Sequence, residues 1–193
     1  MSKLILSSCD FRNQESAKCI YDNINKPIDK CSVLYFPNEK AKEEQVKSNI
    51  FFDRLSEFGF CRENIFVFNY YSPVLPKSFV PDVIYISGGN TFGTLKRLKE
   101  SGADKIIVDY VKNGTIYIGG SAGAHIASSN ISHIQKYDID TFGLTDFSGL
   151  NLFEGILICH YTDERKKDYE KLKALGKYNV TALKDNEFII VEV

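Results

Sequence analysis

The chain has 193 residues, of which 44% are hydrophobic and 25% are charged, and its formal net charge is −1. The length predicts a single domain spanning residues 1–193, and the near-zero charge argues against nucleic acid or an anionic membrane surface as a main partner. No apolar run approaches the length of a membrane span or a signal-peptide core, so we expect a cytoplasmic protein. We also expect a monomer or a homodimer.

The five cysteines indicate reduced thiols rather than disulfides or a metal site. They are Cys9, Cys19, Cys31, Cys61 and Cys159. Their number is odd, and no pair has the C-x-x-C spacing that is typical of metal ligands. The sequence therefore predicts neither a metal site nor a cofactor.

Strand and helix patterns alternate along most of the chain. Apolar runs predict strands at residues 3–7, 32–36, 64–68, 82–86, 115–118 and 155–159, with a closing strand pair at residues 179–183 and 187–193. Helical spacing predicts helices at residues 16–24, 41–58, 91–99, 104–112 and 162–175, and a short helix after residue 121. Residues 71–81, which contain prolines, and the polar residues 131–149 are predicted loops. The alternation is typical of an α/β fold with a mostly parallel sheet covered on both faces.

A glycine-flanked serine follows the predicted strand at residues 115–118. Gly119, Ser121 and Gly123 have the Gly-x-Ser-x-Gly spacing of a nucleophile elbow, in which a strand, a sharp turn and a helix hold a serine at the edge of the sheet. Glycines are needed on either side because strand and helix nearly touch there. A serine at this position can instead cap the helix N-terminus, so the motif alone leaves two interpretations.

A serine hydroxyl needs a neighbouring base to become a nucleophile, and the chain has three histidines. His160 ends a predicted strand at the same sheet edge as Ser121 and is the best-placed base. We expect the side chain of His125 to lie along the helix that follows Ser121, away from the hydroxyl. His133 lies in the polar loop without an anchoring strand.

Two further groups would complete a site for acyl transfer. An acceptor must fix the tautomer of the imidazole, and Asp138 and Asp140, which lie between the serine and His160 in the sequence, are the candidates. Backbone amides must also bind the oxygen of the attacked carbonyl. Gly88 and Gly89, after the strand at residues 82–86, and the amide of Ala122 predict such an oxyanion hole.

Three of these segments carry a family resemblance. Residues 86–92 read ISGGNTF, residues 119–124 read GGSAGA, and residues 160–161 read HY at the end of a strand. Together they resemble the peptidase E and cyanophycinase family of serine peptidases, and the similarity covers nearly the whole chain. The resemblance implies a flavodoxin-like three-layer α/β/α sandwich related to the class I glutamine amidotransferases, in which a cysteine occupies the position of the serine.

The resemblance also implies roles for individual residues. Matching by position gives the nucleophile Ser121, the base His160, the acid Asp138 with Asp140 in reserve, and the oxyanion donors Gly89 and Ala122. The best-known members of the peptidase E family are dipeptidases that cleave after an N-terminal aspartate. The resemblance therefore implies a peptidase that acts on short peptides. The segment that helps to recognise this aspartate is short here and offers only Arg165, Lys166 and Lys167 as basic side chains. We therefore expect weak or absent activity on Asp-Xaa peptides.

Two other classes of protein share parts of this pattern. An α/β-hydrolase esterase has the same elbow and the same order of serine, aspartate and histidine. Only 39 positions separate Ser121 from His160, however, which is too few for the elements that normally intervene. A peptide-binding or amino-acid-binding member of the fold without activity would lack one catalytic residue, whereas all candidates are present here.

Overall fold

The computed structural model describes residues 2–76 and 79–193, so part of the predicted loop at residues 71–81 lies outside the described residues. The strands are β1 (Lys3–Ser7), β2 (Val33–Phe36), β3 (Ile65–Val67), β4 (Val83–Ile86), β5 (Ile116–Gly120), β6 (Ile156–Ile158), β7 (Val180–Ala182) and β8 (Phe188–Glu192). The α-helices are α1 (Gln14–Asn23), α2 (Glu43–Val46), α3 (Ile50–Glu57), α4 (Thr91–Ser101), α5 (Ala103–Lys112), α6 (Ala122–Ala127) and α7 (Lys166–Ala174).

A six-stranded sheet forms the centre of the fold, in the order β3-β2-β4-β5-β1-β8. Its neighbouring strands are parallel except for β8, which pairs with β1 in the antiparallel direction. Gly119 near the end of β5 is paired with Leu6 of β1 on one side and Ile86 of β4 on the other. The carboxyl ends of these three strands therefore meet at one edge, where open α/β sheets place their ligands.

Alternate side chains of the strands enter two hydrophobic cores, one on each face of the sheet. Leu4, Leu6 and Tyr117 pack with α4, α5 and α6 on one face, and Ile5 and Ile118 pack with α1 and α3 on the other. The predicted three-layer α/β/α arrangement with a mostly parallel sheet is confirmed. Of the helices described, none combines the length and the apolarity needed to cross a bilayer.

The long helix predicted at residues 41–58 is two helices, α2 and α3. Ser48 explains the break, because its hydroxyl donates to the Gln45 carbonyl and accepts from the Ile50 amide. Local side-chain bonds of this kind compete with the helical ladder. Val46 and Phe51 on either side of the break are still buried in the same core, which is why the apolar spacing was continuous.

The prediction that residues 179–183 and 187–193 pair with each other is wrong. β7 pairs with β6 in a separate two-stranded parallel sheet, whereas β8 pairs with the edge strand β1. The turn at residues 184–186 therefore crosses from the small sheet to the central one. Because Phe188 is paired with Ser7 at the end of β1, this turn lies at the carboxyl edge of the central sheet.

Candidate active site

The turn between β5 and α6 brings strand and helix into close contact. A Cβ atom on Gly119 would lie 2.7 Å from the Gly123 carbonyl oxygen, and one on Gly123 would lie 2.1 Å from the Ile86 carbonyl oxygen. Neither position has room for a side chain, which explains both glycines. Ser121 at this turn has φ 49° and ψ −106°, a conformation that non-glycine residues adopt rarely and mostly at functional sites.

The hydroxyl of Ser121 faces His160. Its Oγ lies 2.9 Å from Nε2 of His160 and makes no capping bond to the amides of α6. The interpretation of Ser121 as a helix cap is therefore wrong. The Ser121 amide donates to the Ser7 carbonyl at 2.9 Å, which ties the turn to the end of β1.

Backbone contacts hold His160 at the end of β6. Its φ is +54°, and its amide donates to the Ser8 hydroxyl at 3.0 Å. The same hydroxyl donates to the Leu183 carbonyl at 2.9 Å, and the amide of Tyr161 donates to that carbonyl as well. His160 is thus positioned by the ends of β1, β6 and β7.

The second ring nitrogen of His160 contacts Asp185, a residue that the sequence analysis did not consider. Nδ1 lies 2.6 Å from Oδ1 of Asp185. Because Nδ1 faces a carboxylate and Nε2 faces a hydroxyl, the neutral ring carries its proton on Nδ1 and accepts from Ser121 at Nε2. Asp185 lies in the turn between β7 and β8, which is closed by hydrogen bonds between Lys184 and Glu187.

Asp138, the predicted acid, does not lie beside His160. Its Oδ2 accepts a hydrogen bond of 2.8 Å from the Thr91 amide at the start of α4. The reserve candidate, Asp140, accepts from two amides of its own loop at 3.0 Å each. Contrary to the prediction, neither carboxylate is brought to the histidine, because both satisfy backbone N–H groups instead.

The two glycines after β4 lie beside the turn that holds Ser121. A Cβ atom on Gly88 would lie 3.3 Å from the Ser121 Cβ, and one on Gly89 would lie 2.6 Å from Oε2 of Glu39. A Cβ atom on Gly89 would also lie 2.7 Å from the Cβ of Asn38, so Gly89 has no room for a side chain. Within the described part of the chain, no hydrogen bond from the amides of Gly88, Gly89 and Ala122 to a protein acceptor is found.

A fixed cation also lies beside this turn. The Arg12 guanidinium donates to the Asp10 carboxylate through Nε at 2.9 Å and through Nη2 at 3.3 Å. A Cβ atom on Gly88 would lie 2.9 Å from Nη2, so Arg12 and Ser121 flank the same glycine. The Asp10 side chain is completely buried against Gly120, whereas the Arg12 side chain is 55% exposed. Burial raises the pKa of Asp10, and the guanidinium opposes this shift.

The basic side chains after His160 are arranged differently. Arg165 donates to the Cys159 carbonyl, and its guanidinium lies 4.1 Å from the centre of the Tyr137 ring. Lys166 and Lys167 are exposed at the start of α7. The sequence analysis considered only the basic residues after His160 and so did not identify Arg12, which lies in the segment after β1.

His125 and His133 support the strand that carries His160. Nε2 of the buried His125 accepts from the Cys159 amide at 3.1 Å, and Nε2 of His133 donates to the Leu157 carbonyl at 2.6 Å. Burial holds the pKa of His125 well below its usual value and also lowers the pKa of His133. Both rings are therefore neutral near pH 7 and act as structural hydrogen-bonding groups.

The arrangement of strands, turn and histidine agrees with a known protein family. The sequence model of Peptidase family S51 matches residues 4–192 of the chain. The chain belongs to peptidase family S51. This membership confirms the resemblance to peptidase E and assigns the chain to a family of hydrolases.

Several S51 relatives are similar over part of their length. An uncharacterized peptidase of Listeria monocytogenes is 37% identical over 115 residues, which are 57% of this chain and 56% of the relative. Peptidase E of Escherichia coli is 38% identical over 82 residues, which are 42% of this chain and 35% of the relative. The chain thus spans little more than half the length of the Listeria relative and about a third of the Escherichia coli one.

Solved structures extend the similarity to the whole fold. The crystal structure of a candidate peptidase E protein from Listeria monocytogenes EGD-e covers 100% of this chain and 99% of its own, with a TM-score of 0.70 and 25% identity. A peptidase from an acI-B1 Actinobacterium covers 99% of this chain and 83% of its own, with a TM-score of 0.59 and 16% identity. The second comparison supports the fold alone.

Asp185 could have been found in this S51 sequence by asking where the last strand pairs. β1 pairs with β5 on one side only, so its other side is available to a strand that follows β7. Pairing β8 with β1 places the preceding turn at the end of β1, on the side of His160. The acidic residue of that turn then becomes a candidate partner for the histidine.

Proposed function

We propose that this S51 chain is a serine peptidase in which Ser121, His160 and Asp185 form the catalytic triad. The hydrogen-bonded series from Ser121 Oγ through both nitrogens of His160 to Asp185 is the observation that supports this most. Ser121 attacks the peptide carbonyl while Nε2 takes its proton, and Nε2 then gives that proton to the departing amine. Water hydrolyses the acyl-enzyme with the same base. Asp185 keeps the proton on Nδ1 and stabilises the imidazolium that forms.

The amides of Gly89 and Ala122 would bind the oxyanion that develops during the attack. Both are without a protein acceptor in the described part of the chain. Donors of this kind contribute roughly 2.7–4 kcal/mol each in comparable enzymes. Asp138 has a positioning role in this scheme, because its bond to the Thr91 amide holds the segment that contains Gly89.

The substrate class that we propose is short peptides that carry a carboxylate close to the cleaved bond. Arg12 supports this choice, since its guanidinium is held by Asp10, its side chain is half exposed, and it lies against Gly88, the glycine that also adjoins Ser121. A guanidinium that is already fixed loses little freedom when it pairs with a carboxylate in the bidentate manner. Because Arg12 lies near the turn, we now propose activity on acidic di- and tripeptides, in place of the weak activity on Asp-Xaa peptides that the sequence led us to expect.

The cytoplasmic location and the monomeric or dimeric state stay predictions.

A peptide library tests the role of Arg12. Removing Arg12 alone would leave the buried Asp10 carboxylate unpaired, so we compare Asp10→Asn with the double variant Asp10→Asn/Arg12→Met. The loss of a charge-assisted pair worth about 1.5–3 kcal/mol should lower kcat/KM for acidic peptides by about 10- to 100-fold in the double variant. Neutral peptides should change little. The measurement is kcat/KM by quantification of released amines.

Two substrate sets identify the carboxylate. Asp-Xaa peptides with an amidated C-terminus keep only the side-chain carboxylate, and neutral dipeptides with a free C-terminus keep only the terminal one. The set whose kcat/KM falls in the double variant contains the carboxylate that Arg12 binds. Equal kcat/KM values for the two variants on both sets would refute the role of Arg12.

The same peptides test the two alternative functions. Cleavage of esters without any peptide turnover would favour an esterase. Binding of peptides without turnover would favour a member of the fold that has no activity.

A further inference from the structure

Cys9 lies beside the pair formed by His160 and Asp185. One ligand atom from each of these three residues lies within 4.8 Å of the other two. Cys9 follows β1, His160 follows β6 and Asp185 precedes β8, so the cluster is assembled from three separate parts of the chain. No spacing in the sequence indicates it, which is why the sequence analysis expected no metal site.

The side chains of Cys9 and His160 both lie close to the carboxylate of Asp185. Nδ1 of His160 lies 2.6 Å from Oδ1. The Cys9 sulfur lies within 4.8 Å of a ligand atom of Asp185 and of His160. Burial, followed by the Asp185 carboxylate, raises the pKa of the Cys9 thiol. The Asp185 side chain is 70% exposed, and that of His160 is 38% exposed. A cation from solvent therefore has access to sulfur, nitrogen and oxygen ligands together.

We propose that Cys9, His160 and Asp185 bind a thiophilic divalent cation, for which Zn²⁺ is the best match, and that this binding switches the active site off. A thiolate, an imidazole and a carboxylate are all ligands that Zn²⁺ accepts, and three protein ligands with water in the fourth position are a common zinc arrangement. Tetrahedral zinc places its ligand atoms about 3.5 Å apart. The three ligand atoms already lie within 4.8 Å of one another, so only a small rearrangement is needed, and Asp185 is exposed enough to make it.

Inhibition follows from the nitrogen that the cation would occupy. Zn²⁺ at Nδ1 takes the position of the proton that now faces Asp185, and the neutral ring then carries its proton on Nε2. An Nε2–H group cannot accept the proton of Ser121, so the nucleophile is not activated. The Cys9 thiol releases its proton to solvent when sulfur binds the cation. This inhibition rests on the proposed peptidase function, whereas the binding of zinc does not.

Metal titration of the whole chain tests the site with two readouts. The first is binding, measured by calorimetry with Zn²⁺ and by absorption with Co²⁺, which gives a thiolate-to-metal band only if sulfur is a ligand. The second is the Zn²⁺ concentration that halves the peptidase rate, relative to each variant's own rate without zinc. Cys9→Ser should raise both the dissociation constant for Zn²⁺ and the Zn²⁺ concentration that halves the rate by about a hundredfold, because a neutral hydroxyl replaces a thiolate. Mg²⁺ should not bind, since it prefers oxygen ligands.

Cys61→Ser is the matched control, because Cys61 is an exposed thiol that contacts Glu63 and lies outside this cluster. It should bind and respond to Zn²⁺ like the wild type. Equal zinc affinity in the wild type and in Cys9→Ser, or a Co²⁺ complex without the thiolate band, would overturn the site. Zinc binding that depends on Cys9, in a protein that cleaves no peptide, would uphold the site and refute the proposed function.

Discussion

Replacing Ser121 with alanine is expected to lower kcat on a cleaved peptide by about 10⁵-fold, since the reaction loses its nucleophile. His160→Ala should cause a loss of the same order, because without Nε2 the hydroxyl that lies 2.9 Å away is not deprotonated. The double variant should be no slower than either single variant, as residues that act as one unit have strongly non-additive effects. Single-turnover and steady-state kinetics provide the measurement.

Ser129→Ala is the control for this series. Ser129 lies a short distance beyond α6, and its hydroxyl donates to the Gly155 carbonyl rather than to the active site. Its kcat should stay close to that of the wild type. Multiplicative losses in the double variant would mean that Ser121 and His160 act independently, which contradicts a shared proton transfer.

Asp185→Asn is expected to lower kcat by about 10⁴-fold while leaving KM and the thermal midpoint nearly unchanged, because an amide beside Nδ1 favours the wrong tautomer of the histidine. The carboxylate is exposed, so its loss leaves no buried group without a partner. Asp185→Glu should retain more activity than Asp185→Asn, because it keeps a carboxylate at this position, although on a longer side chain. The readouts are kcat, KM and a melting curve for each variant.

The Asp138→Asn variant shows whether Asp138 or Asp185 is the acidic partner of His160. Its carbonyl oxygen can still accept from the Thr91 amide, so we expect a smaller loss of kcat than for Asp185→Asn. Asp138→Ala removes the acceptor and should lower both kcat and the thermal midpoint, since the start of α4 loses a bond. A larger kcat loss for Asp138→Asn than for Asp185→Asn would return the role of the acid to Asp138.

Local steric rules made the serine turn predictable from the sequence. The need for glycine at positions 119 and 123 is a matter of atoms a few residues apart, and the structure has the close approaches that the pattern implies. The strands were equally visible, because strands buried on both faces are near-continuous apolar runs. His160 could be placed at the sheet edge for the same reason.

The partner of His160 was not predictable by the same means. Asp138 and Asp140 are the candidates that lie between Ser121 and His160 in the sequence, and the family resemblance favours Asp138. Order along the chain does not determine distance in the fold, however. Asp185 reaches the histidine through long-range pairing, of β7 with β6 and of β8 with β1. Arg12 and Cys9 were missed for a related reason, as the segment after β1 carries no motif and joins the site only when β1 and β5 are paired.

Reaction with a fluorophosphonate probe, followed by peptide mass spectrometry, tests the central claim most directly. An activated serine attacks the phosphorus and stays covalently attached, whereas an ordinary surface serine does not react. We expect one adduct per chain on the peptide that contains Ser121, and no adduct in the His160→Ala variant. An unmodified protein, or an adduct on another serine, would contradict the assignment of Ser121 as the nucleophile.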